Sequence, residues 1–161
     1  MNDQDIIAVP TLRRRLFHGG KSGLRVGDLI EPGYERQLHE GCPYCEARFK
    51  GEAVATSDGH LIDGPAQRPD RVYATTHRLY AKHYASLWGR GDLYRVTTDG
   101  LVEPSTEDSF DTVCAERLVV AGVLDRAVLL TWSERRRLWR EWGEADAKFT
   151  AAEHQMRKAD Q

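Results

Sequence analysis

Residues 117–124 read Arg-Leu-Val-Val-Ala-Gly-Val-Leu, an almost unbroken apolar run. It falls far short of the roughly 20 apolar residues that a membrane helix needs. Its β-branched content and lack of helical period mark a strand buried on both faces, with neighbours on both edges. No other segment comes closer to a membrane span, so no membrane partner is expected.

The rest of the chain supplies shorter strands and two helices. Leu16-Phe17-His18-Gly19-Gly20 reads as a strand ending at two glycines, and Leu24 to Gly33 as an extended segment closed by Pro32-Gly33. Arg71 to Thr75 is strand-like. Thr75 or Thr76 can then cap a helix whose stripes, Leu79/His83/Leu87 and Tyr80/Tyr84/Trp88, make one broad buried face before Gly89. Gly91 to Val96 gives a further turn and strand. From Ser133 to Lys158 a long helix carries the stripe Leu138, Trp142, Ala145, Phe149, Ala152 and Met156. Between Tyr34 and Asp70 no period is sustained, so 34–70 reads as an insert within one α+β domain covering 1–161.

Charge narrows the partners. Lys plus Arg number 23 against 25 Asp plus Glu, a net charge of −2, so a global basic field for nucleic acid is excluded. Local triplets remain at Arg13-Arg14-Arg15 and Arg135-Arg136-Arg137. Three cysteines cannot complete a disulfide framework, and Met1 to Pro10 lacks a basic n-region; a reducing cytoplasm is the expected compartment.

Three residue types in this pattern point to chemistry. His18 stands at a strand end before Gly19-Gly20, where a backbone can come close to a ligand and a ring nitrogen can meet a sugar hydroxyl. Tyr73, on a strand just before a capped helix, can stack on an aromatic ligand ring, or simply fill the core. Glu116 opens the apolar run and is placed to face a cleft, with Glu103 and Asp108 as alternatives. Cys42-x-x-Cys45 is half of a zinc-site spacing that His39 and His60 could complete; reduced structural cysteines are the other reading.

Taken together, three blocks resemble the rifamycin ADP-ribosyltransferases. They are Leu16 to Ile30 (LFHGGKSGLRVGDLI), Val72-Tyr73-Ala74-Thr75, and Gly89 to Val96 followed by Gly100 to Pro104. The order of the blocks is the same. Gly20 stands where that family has threonine, and the 34–70 insert is longer than those enzymes carry. The resemblance implies two packed β-sheets around a central helix and a histidine–tyrosine–acid triad that splits NAD. By that analogy His18 holds a ribose and Tyr73 stacks on nicotinamide. Glu116 contacts the nicotinamide ribose and activates the nucleophile, with Glu103 and Asp108 behind it. His18, Gly19, Gly20, Tyr73 and Thr75 would form the NAD cradle.

The expected activity is transfer of ADP-ribose from NAD to a protein, nucleic acid or small molecule, with release of nicotinamide. Two other readings stand beside it. One is an NAD- or nucleotide-binding module of the same fold without turnover. The other is a zinc-stabilised adaptor resting on Cys42, Cys45 and the arginine triplets.

Overall fold

The apolar run lies inside a 14-residue strand, and that strand organises the molecule. The computed structural model describes residues 14–32, 54–55, 61–62, 68, 70–87 and 90–159. In chain order the elements are β1 (Leu16–Gly20), β2 (Leu29–Ile30), β3 (Val54–Ala55), β4 (Leu61–Ile62), β5 (Val72–Thr75), α1 (Arg78–Leu87), β6 (Asp92–Pro104), β7 (Thr112–Asp125) and α2 (Trp132–Ala159).

β6 and β7 form a long antiparallel hairpin with register shifts at Leu93/Tyr94, Arg95/Val96 and Asp99/Val102. Such irregularities sharpen the twist of a ribbon, and here the hairpin curls. β1 pairs with the first half of β6, and β5 with the first half of β7. β1 and β5 then meet at Phe17↔Thr75, so β1, β6, β7 and β5 close a ring, with β2 added along β7 at Leu29↔Val119. The fold is α+β with a long C-terminal helix. The two sheets that the resemblance implies are two halves of one five-stranded sheet joined through the hairpin, and β3 and β4 form a separate ribbon.

The inside of the curl is the core: Leu16, Ile30, Val72, Ala74, Tyr94, Val96, Ala115, Leu118 and Val120. Its polar centre is Asp92, only 2% exposed. Asp92 accepts hydrogen bonds from the Gly23 and Ala127 amides and pairs with Arg126. Burial works against its charge, yet those donors and the Tyr94 hydroxyl hold the carboxyl below its ordinary range.

α1 covers the outside of β1. Its buried residues are Leu79, Tyr80, Ala81 and Ala85. The face predicted from the Leu79/His83/Leu87 stripe is therefore rolled toward the alanines, and Leu87 is exposed. The reason is close approach. A Cβ on Gly19 would lie 2.7 Å from the Ala85 nitrogen and closer still to the Ala81 carbonyl oxygen. Only glycine opposite alanine lets strand and helix backbones meet. The Gly91 N–H ends the helix by donating to the Ala85 carbonyl at 2.8 Å; Trp88 and Gly89 lie outside the described residues.

The helix cap differs too. Neither Thr75 nor Thr76 caps α1: the His77 Nδ1 accepts the Tyr80 N–H at 3.1 Å, which leaves Nε2–H to donate to Glu141 on α2 at 2.7 Å. α2 begins one residue earlier than predicted. Thr131 and Glu134 exchange side-chain to backbone hydrogen bonds at 3.1 and 2.8 Å, a capping box. Of the predicted α2 stripe, only Leu138 is fully buried. Trp142, Ala145 and Phe149 are half-buried, whereas Ala152 and Met156 are exposed, because the body covers only the first half of the helix.

Candidate functional site

Strand alternation decides which side chains can share a site. On β5, Val72 and Ala74 enter the core, so Tyr73 faces the outer side. Its partner on β7 is Cys114, and the partner of Cys114 on β6 is Glu103. Tyr73, Cys114 and Glu103 therefore stand side by side on three strands. They line a cavity of about 140 Å³ together with Arg68, Ser105 and Glu107.

Hydrogen bonds fix the walls of this cavity. The Arg68 amide donates to the Tyr73 hydroxyl oxygen at 3.2 Å, and burial, then the hydrogen bond that the phenol donates to the Glu107 carboxylate, pushes the Tyr73 phenol well above its usual range. The ring is held as a neutral aromatic wall. Arg68 Nη1 pairs with Glu103 Oε2 at 2.7 Å and its Nε with Asp70 at 3.2 Å. Asp70 is lowered by that hydrogen bond. The Cys114 thiol is pushed up by burial and then by Glu103, so it is no ready thiolate.

The three candidate acids separate clearly. Glu103 lines the cavity. Glu116 shares the outer face of β7 with Cys114, one ladder step along, but its partner is Arg71 Nη1 at 3.5 Å and it leans across Gly100, whose φ of +82° makes the β6 bulge. Asp108 is structural: it accepts from the Tyr80 and Ser105 hydroxyls, tying the loop after β6 to α1.

The predicted NAD cradle is not gathered on that face. Leu16 and Tyr94 are core residues, and His18 pairs with Tyr94; alternation places His18 on the inner side of β1, opposite to Tyr73. What reaches Tyr73 is the His18 Nδ1–H, which donates to its backbone carbonyl at 2.8 Å. Gly20 leaves room for that ring, since a Cβ there would lie 2.7 Å from His18 Nε2. Gly19 is covered by α1, and Thr75 is 4% exposed, its hydroxyl bonded to the Asp111 carbonyl and the His77 amide. His18, Gly19 and Thr75 thus serve the joint between β1, β5 and α1.

Sequence reasoning did not place Arg68, Glu107 or Cys114 at this site. Arg68 lies in the aperiodic insert, and Cys114 is identified only once the β5–β7 register is known. Among the described residues no three His, Cys, Asp or Glu side chains form a metal-holding group; Cys42, Cys45, His39 and His60 lie outside them. No described helix is long and apolar enough to cross a membrane. No known protein family model and no curated protein matches the chain.

Proposed function

We propose that the chain transfers ADP-ribose from NAD, with the nicotinamide end seated at the Tyr73–Glu103 cavity. The observation that supports this most is the placing of an aromatic wall and a carboxylate on the two strands that flank β7, around one cavity. Its volume of about 140 Å³ is below the roughly 300–1,000 Å³ of whole-ligand pockets. It suits a single heteroaromatic ring, and the remainder of a dinucleotide would lie along the adjoining surface.

The chemistry asked of these residues is limited. The bond between the ribose C1′ and the nicotinamide nitrogen breaks, and nicotinamide leaves with the electron pair. The oxocarbenium-like sugar is stabilised by a nearby carboxylate. The acceptor's lone pair then bonds to C1′, and its proton passes to the same carboxylate. In this reading Glu103 is that carboxylate, and Tyr73 excludes water beside it. His18 is a positioning residue: it acts through the Tyr73 carbonyl.

A second reading has its own support. Arg68 pairs with Glu103 at 2.7 Å, and a carboxylate so engaged suits a nucleotide-binding module without turnover. Nicotinamide release from NAD separates the two. Turnover is expected in the wild type and is lost in Glu103→Gln with NAD affinity kept. If Glu116→Gln is dead and Glu103→Gln active, the acid is Glu116. NAD binding without any nicotinamide release establishes the second reading, and no binding at millimolar NAD overturns both.

A further inference from the structure

The outer face of α2 has a composition that neither the core nor the cavity requires. Trp132 is 77% exposed and Trp139 61% exposed, the two most exposed aromatic rings among the described residues. They stand two turns apart, about 10 Å along the helix. At 100° per residue, Arg136, Arg140 and Gly143 fall on the same arc, opposite the buried Leu138. The Arg135 guanidinium lies 5.9 Å over the Trp132 ring.

This arc also lacks acids. The helix carries Glu134, Glu141, Glu144, Asp146 and Glu153, none of them inside it. Glu134 and Glu141 turn inward to Lys82 and His77. Glu144 and Asp146 stand at its two borders, Asp146 bonded to Ser109. Arg137, just outside the arc, pairs with Glu141 at 2.8 Å. By contrast, Arg135, Arg136 and Arg140 make no ion pair among the described residues, in a chain whose net charge is −2.

We propose that this face of α2 binds single-stranded nucleic acid, the bases stacking on Trp132 and Trp139 and the phosphates meeting Arg135, Arg136 and Arg140. Unpaired bases offer the flat aromatic faces that exposed indoles stack on, whatever the sequence. Arginine between the indoles supplies the phosphate contacts. A membrane-surface helix would present a continuous apolar sector, and here Arg136, Arg140 and Thr150 interrupt it. This binding is independent of ADP-ribosyl transfer.

The test is fluorescence anisotropy of the full chain with a labelled 20-nucleotide oligothymidine or oligouridine, from 50 to 300 mM salt. Binding is expected to weaken with salt at a log–log slope of about −2, as for three phosphate contacts on a single strand. Trp132→Ala/Trp139→Ala should weaken it about tenfold or more at unchanged slope, and Arg136→Glu/Arg140→Glu should weaken it and flatten the slope. Trp139→Phe should retain binding, and thermal melts of all three variants should match the wild type, because the side chains are exposed. No binding at 50 mM salt, wild-type affinity in both double variants, or equal affinity for a 20-base-pair duplex or phosphatidylserine vesicles would overturn the proposal.

Discussion

Gly19→Ala distinguishes a ligand cradle from a packing joint. The added Cβ would sit 2.7 Å from the Ala85 nitrogen, 2.9 Å from the Ala81 carbonyl carbon, and inside contact with the Ala81 oxygen. All three are helix backbone atoms, so no side-chain rotation relieves the clash, and Ala81→Gly cannot rescue it. Either α1 lifts from β1 or the strand shifts. Overpacking of this kind costs typically 1–3 kcal/mol, occasionally more. Against that, alanine restricts the unfolded chain and returns about 0.4–1 kcal/mol. With rigid backbone on the far side, a net loss of about 2–3 kcal/mol is expected. At roughly 2–4 °C per kcal/mol for a chain of this size, Tm should fall by about 4–12 °C. Circular dichroism melts give that number, and calorimetry with NAD gives the affinity of the folded variant. An unchanged Tm would refute the packing argument. An unchanged Tm with lost NAD affinity would restore Gly19 to the cradle.

Two more predictions concern the polar anchors. Asp92 has a folded pKa held below its unfolded value, so its contribution is present above about pH 4, the unfolded value, and is lost as pH falls through the lower folded one. Asp92→Asn should cost about 3 kcal/mol at pH 7, near the low end for breaking a buried pair because Arg126 is half exposed, and the gap to wild type should shrink below about pH 4 in denaturant titrations. A gap independent of pH down to 2 would contradict the assignment. His77→Ala should cost about 1 kcal/mol through loss of the α1 cap, with His77→Asn restoring most of it; equal losses in urea melts would show that the cap contributes nothing.

What could be read from the sequence tracks how local each cause is. β7 was legible because a central strand, paired on both edges, carries an almost unbroken apolar run. The capping box was present in Thr131-x-x-Glu134, yet Ser133 offered a competing start one residue on. β6 runs on to Pro104, past the predicted Val96, because its outer half is held by pairing with β7 and not by its own apolar content. At the site, Tyr73 and the acids were visible as residue types. Which of them share a face depends on the Tyr73↔Cys114↔Glu103 register, a fact of pairing that no local pattern encodes. The same limit applies to His18: the resemblance implies one cradle shared with Tyr73, whereas alternation along β1 and β5 sets the two side chains on opposite faces.

The closure of the ring bears on how the molecule assembles and how it can vary. β6 and β7 are near neighbours in the chain and can zip locally, while β1 meets β5 through the Phe17↔Thr75 pair and the bond from His18 to the Tyr73 carbonyl, across 55 residues. The entropy of shutting such a loop grows only logarithmically, about 0.6 kcal/mol for each doubling of its length. If this long-range seam closes after the β6–β7 hairpin, loss of its bonds is expected to speed unfolding more than it slows folding. The stretch between β2 and β5 can lengthen or shorten at little thermodynamic penalty, which makes it the place where relatives of this chain can differ most while keeping the same ring.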